Sequence, residues 1–142
     1  MSELIVSYQF TSPTNEPSGR RIYDNGQVDE YRASKYVKGA DGNYKLESVP
    51  LDWYSLVKLS ETEVKAVQQA VNASGADKMP ASIKGDPQKS TARERAEWQI
   101  RIGDKLKTIT VDDWPAEDAP GRALLELSKK LGEIVTKAIN AQ

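Results

Sequence analysis

Trp98-Gln99-Ile100-Arg101-Ile102-Gly103-Asp104-Lys105-Leu106-Lys107-Thr108-Ile109-Thr110-Val111 is the stretch that decides the fold. Trp98, Ile100 and Ile102 alternate with polar residues, the two-residue period of a strand with one buried face. Gly103-Asp104 turns the chain, and Ile109 and Val111 bring it back. With a lead-in from Ala96, the stretch predicts an antiparallel hairpin over 96–111. Leu106 and Ile109 lie an odd number of residues apart and cannot share a face of a regular strand, so Leu106 belongs to a bulged turn or covers the second face.

On either side of this hairpin stand two helix signals. Ser60 and Glu63 are spaced for a capping box, in which each side chain bonds the other residue's backbone N–H. Leu59 before the cap and Val64 after it can meet as a hydrophobic staple, and Val64, Val67 and Val71 fall on one helical face. Gly75 is placed to end this helix, predicted over 61–74. Its valines are weak helix formers, so packing must supply much of its stability. Asp118 can cap a second helix with Pro120 in its first turn. Leu124, Leu127, Leu131, Ile134, Val135 and Ala138 then make a stripe as wide as a helix lying on a sheet needs, over 119–140.

The front half reads as strands over 4–49. Leu4, Val6, Tyr8 and Phe10 alternate with Ile5, Ser7, Gln9 and Thr11. After a Pro- and Ser-rich loop, Arg20 to Tyr23 leads into Asp24-Asn25-Gly26, a turn signal that predicts a type I′ hairpin. The return strand runs from about Gln27 to Val37. Gly39-Ala40-Asp41-Gly42 sends the chain into a fourth strand over 43–49, which Pro50 is expected to end. Leu51 to Val57 reads equally as a short strand or a packed connection. Residues 77–91 hold Pro80, Gly85 and Pro87 without periodicity and read as a long loop, a length that in compact domains tends to be functional or disordered.

The chain has 142 residues, the size of one domain with one core, and its 38% apolar and 29% charged content is that of a folding sequence. Twenty Lys+Arg against twenty-one Asp+Glu give a net charge of −1, no field for a polyanion, so nucleic acid is not an expected partner. There is no cysteine and no histidine. Disulfides, thiolate nucleophiles, Cys-ligated metals and the usual general base near neutral pH are therefore excluded. Phosphate-binding glycine loops and a nucleophile elbow are absent too. The expectation is a protein that is not an enzyme, needs no cofactor and touches no membrane. The N-terminal segment lacks the basic start and apolar run of a signal peptide, so a cytoplasmic location is expected.

Three sets of residues could carry function. Tyr23, Tyr31, Tyr36, Tyr44, Trp53 and Tyr54 concentrate in the front half, where they serve either as half-buried strand formers or as an exposed face for a protein partner. Lys78, Lys84, Lys89, Arg93 and Arg95 make the long loop basic enough to dock an anion, although such runs are commonly solvated loops. Asp112, Asp113, Glu117 and Asp118 cluster between strand and helix without the ordered ligand positions of a calcium loop, and no metal is assigned there.

Leu59 with Val64 and Val67, Ala96-Glu97-Trp98-Gln99-Ile100, the Gly103-Asp104 turn, and Pro120 with Leu124, Leu125 and Leu131 resemble the pattern of the emfourin-type family of small protein inhibitors of thermolysin-like metalloproteases. The resemblance spans about 59–139. It implies a sheet with two helices and a preference for binding proteins over catalysis. Ser7-Tyr8-Gln9-Phe10 stands where that family has a Gly-Gly-Phe run, the turns from Asp24 to Gly42 are additional, and no inhibitory residue carries over.

The sequence therefore predicts a single α+β domain over 1–142: an antiparallel sheet of about six strands with both helices on one face. Its expected function is a non-catalytic protein-interaction module, an inhibitor or accessory protein, using the aromatics on the opposite face. The alternative is a small-ligand or anion binder using the basic loop over 78–95.

Overall fold

The computed structural model describes residues 2–86, 88 and 94–142. The chain is α+β, with seven strands and two α-helices among the described residues: β1 Leu4–Thr11, β2 Ser18–Tyr23, β3 Gln27–Lys38, β4 Tyr44–Lys58, α1 Glu61–Ala73, β5 Ser82–Lys84, β6 Glu94–Ile102, β7 Lys105–Trp114 and α2 Ala119–Asn140. The strands form one sheet in the order β4-β3-β2-β1-β6-β7-β5. All neighbours are antiparallel except β5, which runs parallel to β7. Two expectations are corrected here. The loop over 77–91 contains a strand, so the sheet is mixed, and Pro50 does not end the fourth strand.

Directly opposed residues in an antiparallel pair share a face, so the register assigns the two sides of the sheet. Ile22, Val6, Ile100 and then Tyr8, Trp98, Ile109 run in rows across the strands on one side. These side chains are buried, in one cluster with Val64, Val67 and Val71 of α1 and Leu124, Leu127, Leu131 and Val135 of α2. This is the helix-bearing face. The other face carries Gln9, Arg21, Asp29, Gln99 and Thr108, all at least partly exposed, and it is open. Leu106 opposes Arg101 on that open face, which settles its parity without a bulge.

The local signals form as the sequence indicates. The Ser60–Glu63 capping box closes in both directions, at 2.9 and 3.2 Å. Ser74 caps the end of α1 and Gly75 follows in the left-handed region. Asp118 accepts the Gly121 N–H at 2.9 Å at the start of α2. The turn at Asn25-Gly26 differs from the type I′ expected, because Asn25 does not adopt a positive φ. Gly26 N–H donates to the Tyr23 carbonyl at 3.0 Å, and Gly26 alone is left-handed, at φ 92°. Its own carbonyl accepts from Leu59 N–H at 2.8 Å, tying the β2–β3 turn to the start of α1. Gly42 repeats the device between β3 and β4, donating to the Gly39 carbonyl at 3.0 Å with φ 84°.

β4 runs through Pro50 because of where it lies. It is an edge strand, where a residue without an N–H is tolerated, and the register jumps there from Arg32↔Asp52 to Ser34↔Ser48. Ala33 thus faces Val49, Pro50 and Leu51. Beyond Tyr31, which opposes the second residue of β2, β3 has only β4 beside it. The last part of the hairpin, 34–48, is a two-stranded arm.

Candidate functional site

Between the arm and α2 lies a cleft of about 670 Å³. Phe10 and Trp114, whose rings lie 5.4 Å apart, form its deep end with Tyr8. Ser128 and Gly132 of α2 line one side, and Tyr36 and Leu46 line the arm side. Arg20, Glu30 and Arg32 also line it, with Glu30 bracketed by Arg20 at 3.8 Å and Arg32 at 3.3 Å. These ion pairs are partly exposed and contribute at most about 1 kcal/mol each. Burial pushes the Tyr8 phenol above its ordinary value, with the adjacent Arg20 pulling the other way. The phenol is therefore held neutral, a packed side chain of the aromatic wall.

Tyr36 and Leu46 are directly opposed, as are Lys38 and Tyr44, and all belong to the helix-bearing side of the sheet. Neither described helix buries Tyr36, Tyr44 or Leu46. Tyr36, Tyr44 and Leu46 are 74%, 67% and 62% exposed, whereas Trp98 on the same side of the sheet is fully buried. Large apolar side chains gathered this openly on one face are the feature of the surface that needs a reason.

The six front-half aromatics do not form one face. Tyr31 and Trp53 are opposed on the open side, ring centroids 4.9 Å apart, and Arg21 lies 3.9 Å from the Trp53 ring. Both are half-buried in this cluster. Tyr54 opposes Glu30 on the helix-bearing side and is tied down through its hydroxyl, which donates to the Pro50 carbonyl at 2.6 Å. Tyr23 is half-buried near the end of the sheet, opposite Leu4. Tyr36 and Tyr44 are the two that stand free of the body. Leu46, Arg20 and Glu30 belong to the region but were not singled out from the sequence; the alternation of Tyr44 and Leu46 with Lys45 and Glu47 is the signal that carries Leu46.

The described members of the basic set, Lys78, Lys84 and Arg95, are dispersed. Lys78 ends a 3₁₀ turn over Ala76–Lys78, and Lys107 near the start of β7 donates to the carbonyls of Ala76 in that turn and of Met79 after it. Lys84 stands beside Asp112 toward the other end of β7, and Arg95 flanks the same carboxylate at 3.7 Å from across the pair. Lys89 and Arg93 lie outside the described residues. In the acidic cluster, Asp112 thus meets Arg95 and Asp118 caps α2. Among the described residues, no three carboxylates converge as a metal site would require. No described helix is long and apolar enough to cross a membrane.

A scan against protein-family models gives no match, and a search of curated proteins finds none significantly similar to this chain.

Proposed function

We propose that the chain is a non-catalytic protein-interaction module that engages another protein with the helix-side face of its arm and the adjoining cleft. The observation carrying this reading is the exposure of Tyr36, Tyr44 and Leu46 together on one face of a two-stranded extension. Aromatic side chains bring large contact area at low entropy cost, which suits them as anchors in an interface. A two-stranded ribbon is at best marginal in water by itself, and a partner laid on it would supply the missing layer. The cleft then receives whatever projects from that partner between the arm and α2.

The reading differs from the sequence expectation in the side of the sheet it uses. Trp53 is engaged with Arg21 and with the Tyr31 ring on the open face, so the weight moves to Tyr36, Tyr44 and Leu46. The anion-binding alternative draws less support, because Lys78 and Lys84 lie toward opposite ends of β7 and Arg95 faces Asp112.

The test compares the wild-type chain with a Tyr36→Ser, Leu46→Ser variant as bait in lysate of its source cells, with thermal melting of both. The expected outcome is a stoichiometric partner held by the wild type and lost by a variant of unchanged melting temperature. A wild-type bait that retains nothing overturns the reading. The resemblance over 59–139 adds a narrower proposal, inhibition of a thermolysin-like metalloprotease. Peptide hydrolysis by such an enzyme, unchanged at excess chain, removes inhibition while leaving the interaction module standing.

A further inference from the structure

The face of the arm is exposed, and so is its edge. β4 closes one side of the sheet and β5, three residues long, closes the other. Near α1 the β4 edge has company, since Val57 is buried and the Lys58 carbonyl accepts from Gln142. From Tyr44 to Ser48 every residue is exposed. Natural edges are commonly blunted by short length, proline, a bulge or charged side chains. Here Pro50 and the register jump fall just outside 44–48, leaving five consecutive residues as a template for another strand.

The charges along that edge say which strand fits. Lys45 and Glu47 point to the open face, while Tyr44, Leu46 and Ser48 point to the helix-bearing face. We infer that this edge pairs with the same edge of a second copy of the chain, antiparallel about a two-fold axis at Leu46. In that register Lys45 of each copy opposes Glu47 of the other, Leu46 opposes Leu46, and Tyr44 opposes Ser48. Moving the axis to Lys45 sets lysine against lysine, and moving it to Glu47 sets glutamate against glutamate, so like charges exclude both neighbouring registers that keep the faces aligned. A two-fold interface of this kind uses one self-complementary patch on both copies. The product is a continuous sheet across two chains, in which the Tyr36, Tyr44 and Leu46 faces of both copies lie side by side.

This inference goes beyond the proposed function and does not depend on it, because it concerns the backbone edge of β4 rather than the apolar face. Within its own arm Lys45 opposes Val37 and Glu47 opposes Lys35. Lys45→Glu therefore leaves the arm's own pairing intact while setting a second carboxylate against Glu47 of the other copy. Sedimentation velocity reads the result. The wild type is expected to rise with concentration from 15.7 kDa toward twice that mass. Lys45→Glu and Glu47→Lys are each expected to weaken association by roughly ten-fold or more. Their equimolar mixture is expected to regain it, since every cross-chain pair is then of opposite sign. Thermal melting of Glu47→Lys controls for its new contact with Lys35. A wild type that stays at monomer mass at its highest soluble concentration overturns the inference. So does a dimer that survives Lys45→Glu undiminished but is lost on Tyr36→Ser, an outcome that would return the contact to the face.

Discussion

The helix-covered body of the sheet and the 34–48 arm are built from the same kinds of strand, yet they are held by different forces. In the body, Trp98, Ile100, Ile109, Val6 and Ile22 are fully buried beneath α1 and α2. In the arm, Tyr36, Tyr44 and Leu46 lie on the same side of the sheet and stay largely exposed. Burial of apolar surface stabilises the body; ladder hydrogen bonds and the Gly39–Gly42 turn hold the arm in shape. Apolar side chains that the body uses for folding are thus left in the arm for something else to cover.

The largest effect should come from breaking the body. Trp98 stacks on Tyr8 at 4.8 Å and lies 6.0 Å from Trp114, so Trp98→Ala removes the centre of the aromatic cluster. A large-to-small change at such a site costs about 3–5 kcal/mol, against a total stability of roughly 5–15 kcal/mol for a domain. Denaturant unfolding is expected to show a much lower midpoint or no folded baseline. A loss under about 1 kcal/mol would mean that the core is organised elsewhere.

A matched pair of glycines sharpens the comparison. Gly26 and Gly42 close equivalent turns in the left-handed region, where alanine costs about 1–2 kcal/mol at either position. A Cβ at Gly26 would also collide with the Leu59 carbonyl oxygen, whereas one at Gly42 meets nothing within 4 Å. Gly26→Ala is therefore expected to lower global stability by more than that strain alone and to disturb the start of α1. Gly42→Ala is expected to speed hydrogen exchange within 34–48 with little change in global melting. Equal losses of melting temperature would show that arm and body unfold as one unit.

A smaller effect follows from Tyr8. Its folded pKa lies above the ordinary phenol value of 10.0 because burial disfavours the phenolate. The stability it contributes is complete below that value and is lost as pH rises through the folded pKa. Relative to the wild type, Tyr8→Phe should therefore gain stability progressively above pH 10.0 in melts across the alkaline range. Parallel curves for the two proteins would show that Tyr8 ionises in the fold as freely as out of it.

The same division explains what the sequence disclosed. The Ser60–Glu63 box, the leucine stripe of α2 and the Trp98–Val111 hairpin are local patterns tied to burial, and they were legible. The sequence alone ends β4 at Pro50, because the proline rule depends on whether a strand is central or at an edge, which is a property of the assembled sheet. β5 was hidden because three residues carry no period, and its pairing with β7 is between segments distant in sequence. The aromatic residues were visible as candidates, but which of them stand free depends on where α2 passes and on the register jump at Ala33. No periodicity encodes either. Arg21 over Trp53 is likewise a cross-strand contact that removes an apparent anchor from the surface.

The smallest expected effect on stability is the one that separates the two regions most sharply. Tyr36 opposes Leu46 across the arm and is 74% exposed, so Tyr36→Ser gives up one cross-strand contact and little buried area. Cross-strand pairs of this kind contribute roughly 0.2–1 kcal/mol, and the exposed position puts the cost toward the lower end. Global unfolding should shift by no more than about 0.5 kcal/mol, within the range of ordinary surface substitutions. The same change removes an aromatic anchor from the proposed contact face, where truncation of such a residue can cost about 2 kcal/mol or more of binding, roughly thirty-fold in affinity. Measured side by side, an intact melt with weakened partner binding assigns Tyr36 to recognition. A melt that falls as far as that of Trp98→Ala would place Tyr36 in the core and abolish the distinction between arm and body.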